Sequence, residues 1–410
     1  MKVEPRFYNE VPEISFQLSI EVDRTTCGTL ATDVEKRLKK VEDDGLKLTL
    51  PQVVSASATL YGTSTNTPNR TIQHAWGILE EWTFEESTSS FIATPPENDL
   101  LQREGSEALG VGVGLLVAEY IYNLPKQFWY RTSKNATFDY TGVRQNDGET
   151  IFLDPIGLEV RARLDRNHWD EAIIEANKKL GSITTRDFAS AAAIIFAPRS
   201  KPLQRKARTK DVLIMDPTNP NFSLSNQERE LAPLRALMRH YAPFFIQQGS
   251  WIEAWGRKLI DLASSDDSTF LRFLNGEDKR LNYDERAVIG QKPWRTSFHY
   301  DGETYCGTAF EGKRWPIEIA GASPGTGTDR NGMFYWGIWK PIIEALRDGK
   351  LRDLSQMQVT PGETRYKGKL FILLSDGVGL AWAPNESRLN PRLFDDLPDK
   401  SPATGKAIRP

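Results

Sequence analysis

The chain has 410 residues, with 52 Lys and Arg against 55 Asp and Glu for a net charge of −3, and it is 39% hydrophobic and 26% charged. This balance excludes a disordered polymer and gives no global attraction to nucleic acid, while the length exceeds one ordinary core and provides for two or three domains. No stretch approaches the roughly eighteen consecutive apolar residues of a membrane span, and the opening MKVEPRFYNEVPE lacks the apolar run of a secretory signal, so a cytoplasmic protein with no membrane partner is expected.

Residues 1–98 read as a β-rich module for binding or assembly. Glu13–Asp23 alternates apolar and polar residues, and Leu46–Tyr61 is rich in the β-branched residues that favour strands. Between them, Val34, Leu38 and Val41 have the spacing of a helix over Ala31–Asp43. Ala75–Ile92 alternates again, and the prolines of Thr94–Asn98 mark a linker.

Residues 99–217 carry the chemistry. A helix is expected from about Glu104, and its GxGxG string at Gly110, Gly112 and Gly114 follows no strand, so it reads as a close-packing surface rather than a dinucleotide turn. Lys126–Arg131 reads as an aromatic strand. Two short segments then carry one acid each, Asp139 in TFDYTGV and Glu159 in IGLEVRAR. Strand alternation sets each acid on the face opposite its apolar neighbours and puts Arg161 and Arg163 beside Glu159. Two carboxylates on neighbouring strands form a hard oxygen site for Mg²⁺ or Mn²⁺; the same residues also fit a surface cluster of salt bridges. A helix is expected over Trp169–Leu180, and its Lys178 and Lys179 complement the dipole at its end. The apolar runs Ala191–Ala197 and Asp211–Asp216 suit strands buried on both faces. Between them lies RSKPLQRKARTK, whose six bases, Arg199, Lys201, Arg205, Lys206, Arg208 and Lys210, are accompanied by no acid. Such a loop beside a metal site would hold a phosphate backbone.

Residues 218–410 read as helices followed by a mixed α/β region with a mobile, proline-rich tail. Helices are expected over Asn226–Tyr241, with His240 near the end, and over Ser250–Ala263. Hairpins are expected through Asp301–Gly302 and Ser375–Gly377. The aromatic cluster Phe334, Tyr335, Trp336 and Trp339 suits a tryptophan-rich core, with base stacking as the other use of such residues beside Lys313, Arg314, Arg330 and Lys340. Two cysteines, Cys27 and Cys306, and four scattered histidines supply no zinc framework.

The order helix, Asp139 segment, Glu159–Val160–Arg161, helix, strand resembles the core of the PD-(D/E)XK, or restriction-endonuclease-like, nuclease superfamily, over roughly a quarter of the chain. That resemblance implies an α+β multidomain protein with a central restriction-endonuclease-like α/β core between the N-terminal module and the C-terminal domain. It also implies a Mg²⁺- or Mn²⁺-dependent nuclease with Asp139, Glu159 and Arg161 as catalytic residues and DNA as partner, in a bacterial restriction or antiviral-defence setting. Arg161 stands where the family has lysine. A guanidinium stays protonated, so it can stabilise phosphorane charge but cannot act as a general base. The alternative is therefore a catalytically inactive nuclease-like scaffold or nucleic-acid-binding subunit, working with a protein partner or a second copy of the chain.

Overall fold

Val34, Leu38 and Val41 form one stripe of the Thr32–Asp44 helix, and all three are buried, as the 3.6-residue period requires. The structure is a computed structural model that describes residues 15–23, 32–49, 52–53, 55–57, 82–85, 90–93, 99–131, 140–143, 155–163, 170–171, 173–175, 188–195, 211–215, 226–248, 250–277, 296–312, 318–319, 332–366 and 369–384. Two six-stranded sheets dominate these residues, with helices packed on them. The chain is thus mixed helix and strand. Among the described residues, no helix is long and apolar enough to cross a membrane.

The first sheet runs in the order Ile20–Asp23, Val212–Met215, Phe188–Ile195, Pro155–Arg163, Tyr140–Val143, Trp129–Arg131. Its last three strands form an antiparallel meander, Phe188–Ile195 lies parallel to Pro155–Arg163, and helical residues at 170–171 and 173–175 fall in the intervening crossover. Strands from residues 1–98 and 99–217 therefore share one sheet, because Ile20–Asp23 pairs in parallel with Val212–Met215. Leu213 and Ile214 are both buried, so this strand is covered on both faces, consistent with its unbroken apolar run.

The Asp99–Tyr122 helix lies on this sheet, and its Val113, Val117 and Ile121 join Ile20, Val22, Val212 and Ile214 in one core. A Cβ at Gly112 would meet the Val53 carbonyl oxygen at 2.3 Å and the Ser57 hydroxyl at 2.4 Å. The glycine does permit close packing, but against Val53 and Ser57 of the helical residues 52–53 and 55–57 rather than the sheet.

Those residues correct one expectation. Among the described residues of Leu46–Tyr61, Leu46–Thr49 is a strand and residues 52–53 and 55–57 are helical. Thr49 and Gln52 explain the change. The Thr49 amide donates to Gln52 Oε1 at 3.0 Å, and the Gln52 amide donates to Thr49 Oγ1 at 3.4 Å. This reciprocal exchange is a capping box, which outweighs the β preference of the following valines.

The Asn226–Gln248 helix runs past both Pro233 and Pro243, beyond the expected end at Tyr241. Its buried stripe continues through Leu234, Leu237, Met238, Tyr241, Phe244 and Phe245, so packing outweighs the roughly 3 kcal/mol cost of an interior proline. Ser250–Ala263 is helical over the expected residues.

The second sheet is wholly antiparallel, in the order Thr296–Tyr300, Glu303–Gly312, Gly332–Trp339, Val378–Pro384, Lys369–Leu373, Gly362–Tyr366. Asp301 and Gly302, at φ 54° and 72°, make the tight turn of its first hairpin. The sheet curls until its edges meet, with the Tyr300 hydroxyl 2.7 Å from Thr364 Oγ1. Phe298, Tyr300, Tyr305, Tyr335 and Phe371 fill the inside of the curl. Trp336, Ile338, Leu370, Ile372 and Leu380 face outward and pack into the core shared with the first sheet, where Trp336 lies 4.5 Å from Phe244.

Candidate functional site

Most of the expected nuclease site lies outside the described residues: Asp139, the basic loop Arg199, Lys201, Arg205, Lys206, Arg208 and Lys210, and the lysines Lys178 and Lys179. For Glu159 and Arg161 the description reaches the backbone alone. Both sit in the Pro155–Arg163 strand, Glu159 opposite Ala191 and Arg161 opposite Ala193 of the parallel neighbour. On the other side, Tyr140 pairs with Leu158, Thr141 with Gly157 and Gly142 with Ile156 in an antiparallel ladder. Tyr140 follows Asp139 in sequence, and Leu158 precedes Glu159. Among the described residues, no group of three or more His, Cys, Asp or Glu is gathered as a metal ion would require.

The densest ionic chemistry among the described residues lies elsewhere, where the helix Asp99–Tyr122, the 3-10 turn Lys126–Phe128, the helix Asn226–Gln248 and the turn before Val378 converge. Lys126 Nζ lies 3.0 Å from Asp376 Oδ2, and His240 Nε2 lies 3.1 Å from the same oxygen. The three side chains are 0–1% exposed. Asp376 Oδ1 accepts the Val378 amide at 3.1 Å, and the Asp376 carbonyl accepts the Tyr241 hydroxyl at 2.7 Å.

His240 Nδ1 lies 2.7 Å from the carbonyl oxygen of Trp129, which can only accept, so this nitrogen carries hydrogen. Nε2 faces a carboxylate oxygen of Asp376. The ring is thus held at both nitrogens, between a carbonyl and a carboxylate. Burial by itself would raise the Asp376 carboxyl. The charge of Lys126 and the hydrogen bond and charge of His240 outweigh that effect and hold it well below the usual carboxylate range. Burial, reinforced by Asp376, pushes the Tyr241 hydroxyl well above the ordinary phenol range, so it remains a donor.

Glu119 completes the cluster. The residue is partly exposed, yet its carboxyl group is desolvated, and this pushes it up to about 7; the Ser375 hydrogen bond and Lys126 charge oppose the rise, and Asp376 adds to it. On the Asp99–Tyr122 helix, Glu119 thus faces Ser375, Lys126 and Asp376.

Chemically, this cluster is a junction. Its ions are sealed from solvent and fully engaged with one another, so they have no room for a substrate. The aromatic residues of the second sheet are likewise structural where they are described. Tyr335 and Trp336 are buried, and Trp339 donates its indole N–H to Glu303 Oε2 at 2.7 Å. Cys306 is buried, and burial pushes its thiol up to about 11, so it is inert rather than nucleophilic. Comparison of the chain with protein-family models, curated proteins and solved structures found no match.

Proposed function

We propose that the chain is a metal-dependent nuclease that hydrolyses DNA phosphodiester bonds, built on a restriction-endonuclease-like core and acting in bacterial restriction or antiviral defence. The observation that carries this reading is the register between Tyr140–Val143 and Pro155–Arg163. On this proposal the ladder would continue one residue past Tyr140 and Leu158 and so oppose Asp139 to Glu159. Directly opposed residues of an antiparallel pair present their side chains to one face with Cβ atoms about 4.5–5.5 Å apart, which suits two carboxylates sharing one ion. The order helix, three antiparallel strands, helical crossover and parallel strand gives further support, since it is the order the resembled family uses.

Asp139 and Glu159 are the residues that would hold Mg²⁺ or Mn²⁺. When bound, such an ion polarises a phosphate and acidifies water. Arg161, two residues beyond Glu159 on the same strand, contributes a fixed positive charge for the phosphorane, and the Arg199–Lys210 segment contributes the grip on the backbone.

The arginine at 161 also favours a second reading, an inactive nuclease-like scaffold or nucleic-acid-binding subunit that works with a protein partner or a second copy, because it cannot take a proton from water. Cleavage of plasmid and single-stranded DNA with Mg²⁺, Mn²⁺ or EDTA separates the two. The nuclease reading expects metal-dependent cleavage that Asp139→Ala and Glu159→Ala each reduce by at least about a hundredfold. DNA binding without cleavage in either metal would leave the scaffold.

A further inference from the structure

Trp129 is fully buried in the short strand Trp129–Arg131, which pairs with Tyr140–Val143, Trp129 opposite Gly142 and Arg131 opposite Tyr140. A Cβ on Gly142 would meet the Trp129 ring at 2.8 Å and Leu124 Cδ2 at 2.7 Å, so the indole fills the space that a side chain would need there. The indole N–H donates to the Leu124 carbonyl at 3.3 Å, which fixes the ring over that glycine.

Consecutive residues of the Asn226–Gln248 helix grip the same strand. His240 Nδ1 donates to the Trp129 carbonyl at 2.7 Å, while the Arg239 guanidinium lies 5.1 Å from the centre of the Tyr130 ring and donates to the Tyr130 hydroxyl at 3.2 Å. His240 Nε2 lies 3.1 Å from Asp376 Oδ2, and the Tyr241 hydroxyl donates to the Asp376 carbonyl at 2.7 Å. Asp376 belongs to the turn between Lys369–Leu373 and Val378–Pro384 of the second sheet. A continuous run of hydrogen bonds and packing therefore leads from that turn through His240 and Trp129 to Gly142. The strand it reaches, Tyr140–Val143, is the one that follows Asp139 in sequence.

We propose that Asp376, His240 and Trp129 are positioning residues, through which the docked second sheet sets the strand Tyr140–Val143 and with it the carboxylate of Asp139. The catalytic consequence rests on the nuclease reading, whereas the mechanical link rests on the contacts alone. Reacting groups have to be held to about 0.5 Å by neighbours that are themselves locked by packing and hydrogen bonds. Trp129 and the His240 and Asp376 side chains are all fully buried, and each is hydrogen-bonded, so the run has little slack to absorb a displacement. Coupling between distant sites travels through chains of this kind.

Amide hydrogen exchange of the full chain tests the link. His240→Leu removes the bonds to both the Trp129 carbonyl and Asp376. It is expected to speed exchange at Tyr140–Val143 by about tenfold or more relative to the Thr32–Asp44 helix, which packs by the opposite edge of the same sheet. A general loss of stability would speed both regions alike, and that result overturns the proposal. Tyr241→Phe keeps the ring and removes only the bond to the Asp376 carbonyl. It should move the same amides in the same direction, and it decides the matter should the first variant fail to fold; no selective change at Tyr140–Val143 overturns the link. In plasmid cleavage with Mg²⁺, His240→Leu is expected to lower kcat by about ten- to a hundredfold with KM within about twofold, the mark of misplaced groups rather than lost binding. An unchanged kcat in a variant whose strand has loosened overturns the positioning role. A wild type that does not cleave removes the nuclease reading, and the exchange result still decides whether the second sheet holds the strand.

Discussion

Asp376 is the residue on which the joint between the two sheets depends. Both of its carboxylate oxygens and its carbonyl accept hydrogen bonds, and it is the carboxylate that pairs with the buried Lys126 ammonium. Removing its charge while leaving its partners in place takes that pairing from a buried cation. Asp376→Asn is therefore expected to cost about 3–5 kcal/mol in urea unfolding, far more than the median exposed ion pair. A loss below about 1 kcal/mol would mean that Lys126 finds other partners or water. Asp376 is held below the usual carboxylate range, so its contribution is complete above that range and is lost as pH falls beneath it. Little of this was legible in advance. His240 read as a helix-end histidine because the periodicity was expected to stop at Tyr241; Lys126 read as one cation in an aromatic strand, and Asp376 as a turn residue. Each was locally ordinary, and only their convergence makes them unusual.

At the scale of elements, Gly112 sets two effects against each other. Alanine is about 1 kcal/mol better than glycine inside a helix, yet the added carbon would meet a backbone oxygen at 2.3 Å and Ser57 Oγ at 2.4 Å. Backbone cannot rotate away as a long side chain can, so overpacking of about 1–3 kcal/mol is expected to win. Gly112→Ala should lower the thermal midpoint, and an unchanged or higher midpoint would show that the helix slides off residues 52–57 at little cost. The glycine string was read as a packing device from its apolar helical surroundings, while its partner was hidden because residues 52–57 looked like strand. The Thr49-x-x-Gln52 spacing of a capping box was the available signal. Gly377 illustrates the converse case: its φ of +72° and its contact with Ile342 make glycine the natural residue in a turn that the Ser-Asp-Gly sequence already announced.

For the whole molecule, one hydrophobic cluster runs from Leu18 to Trp382 through both six-stranded sheets and the helices between them. Surfaces that share a core lose their packing together. Far-UV circular dichroism and tryptophan fluorescence should therefore report coincident urea transitions, and separated midpoints would show that the two sheets unfold as independent units. The nuclease proposal belongs to this scale as well, since it depends on strand pairing between Tyr140–Val143 and Pro155–Arg163 rather than on proximity in sequence.

What the sequence alone determined is whatever depends on short-range period and chemistry. The Thr32–Asp44 and Ser250–Ala263 helices, the Asp301–Gly302 and Ser375–Gly377 turns and the buried strand at Val212–Met215 were all legible because 3.6-residue stripes, turn residues and unbroken apolar runs act within a few residues of themselves. The tertiary structure alone decided which strands are neighbours, how far the Asn226–Gln248 helix extends past its prolines, and which ions share one oxygen at Asp376. Those outcomes turn on burial and on charge pairing between residues more than a hundred positions apart. Neither force leaves a local trace in the chain until the fold has excluded water.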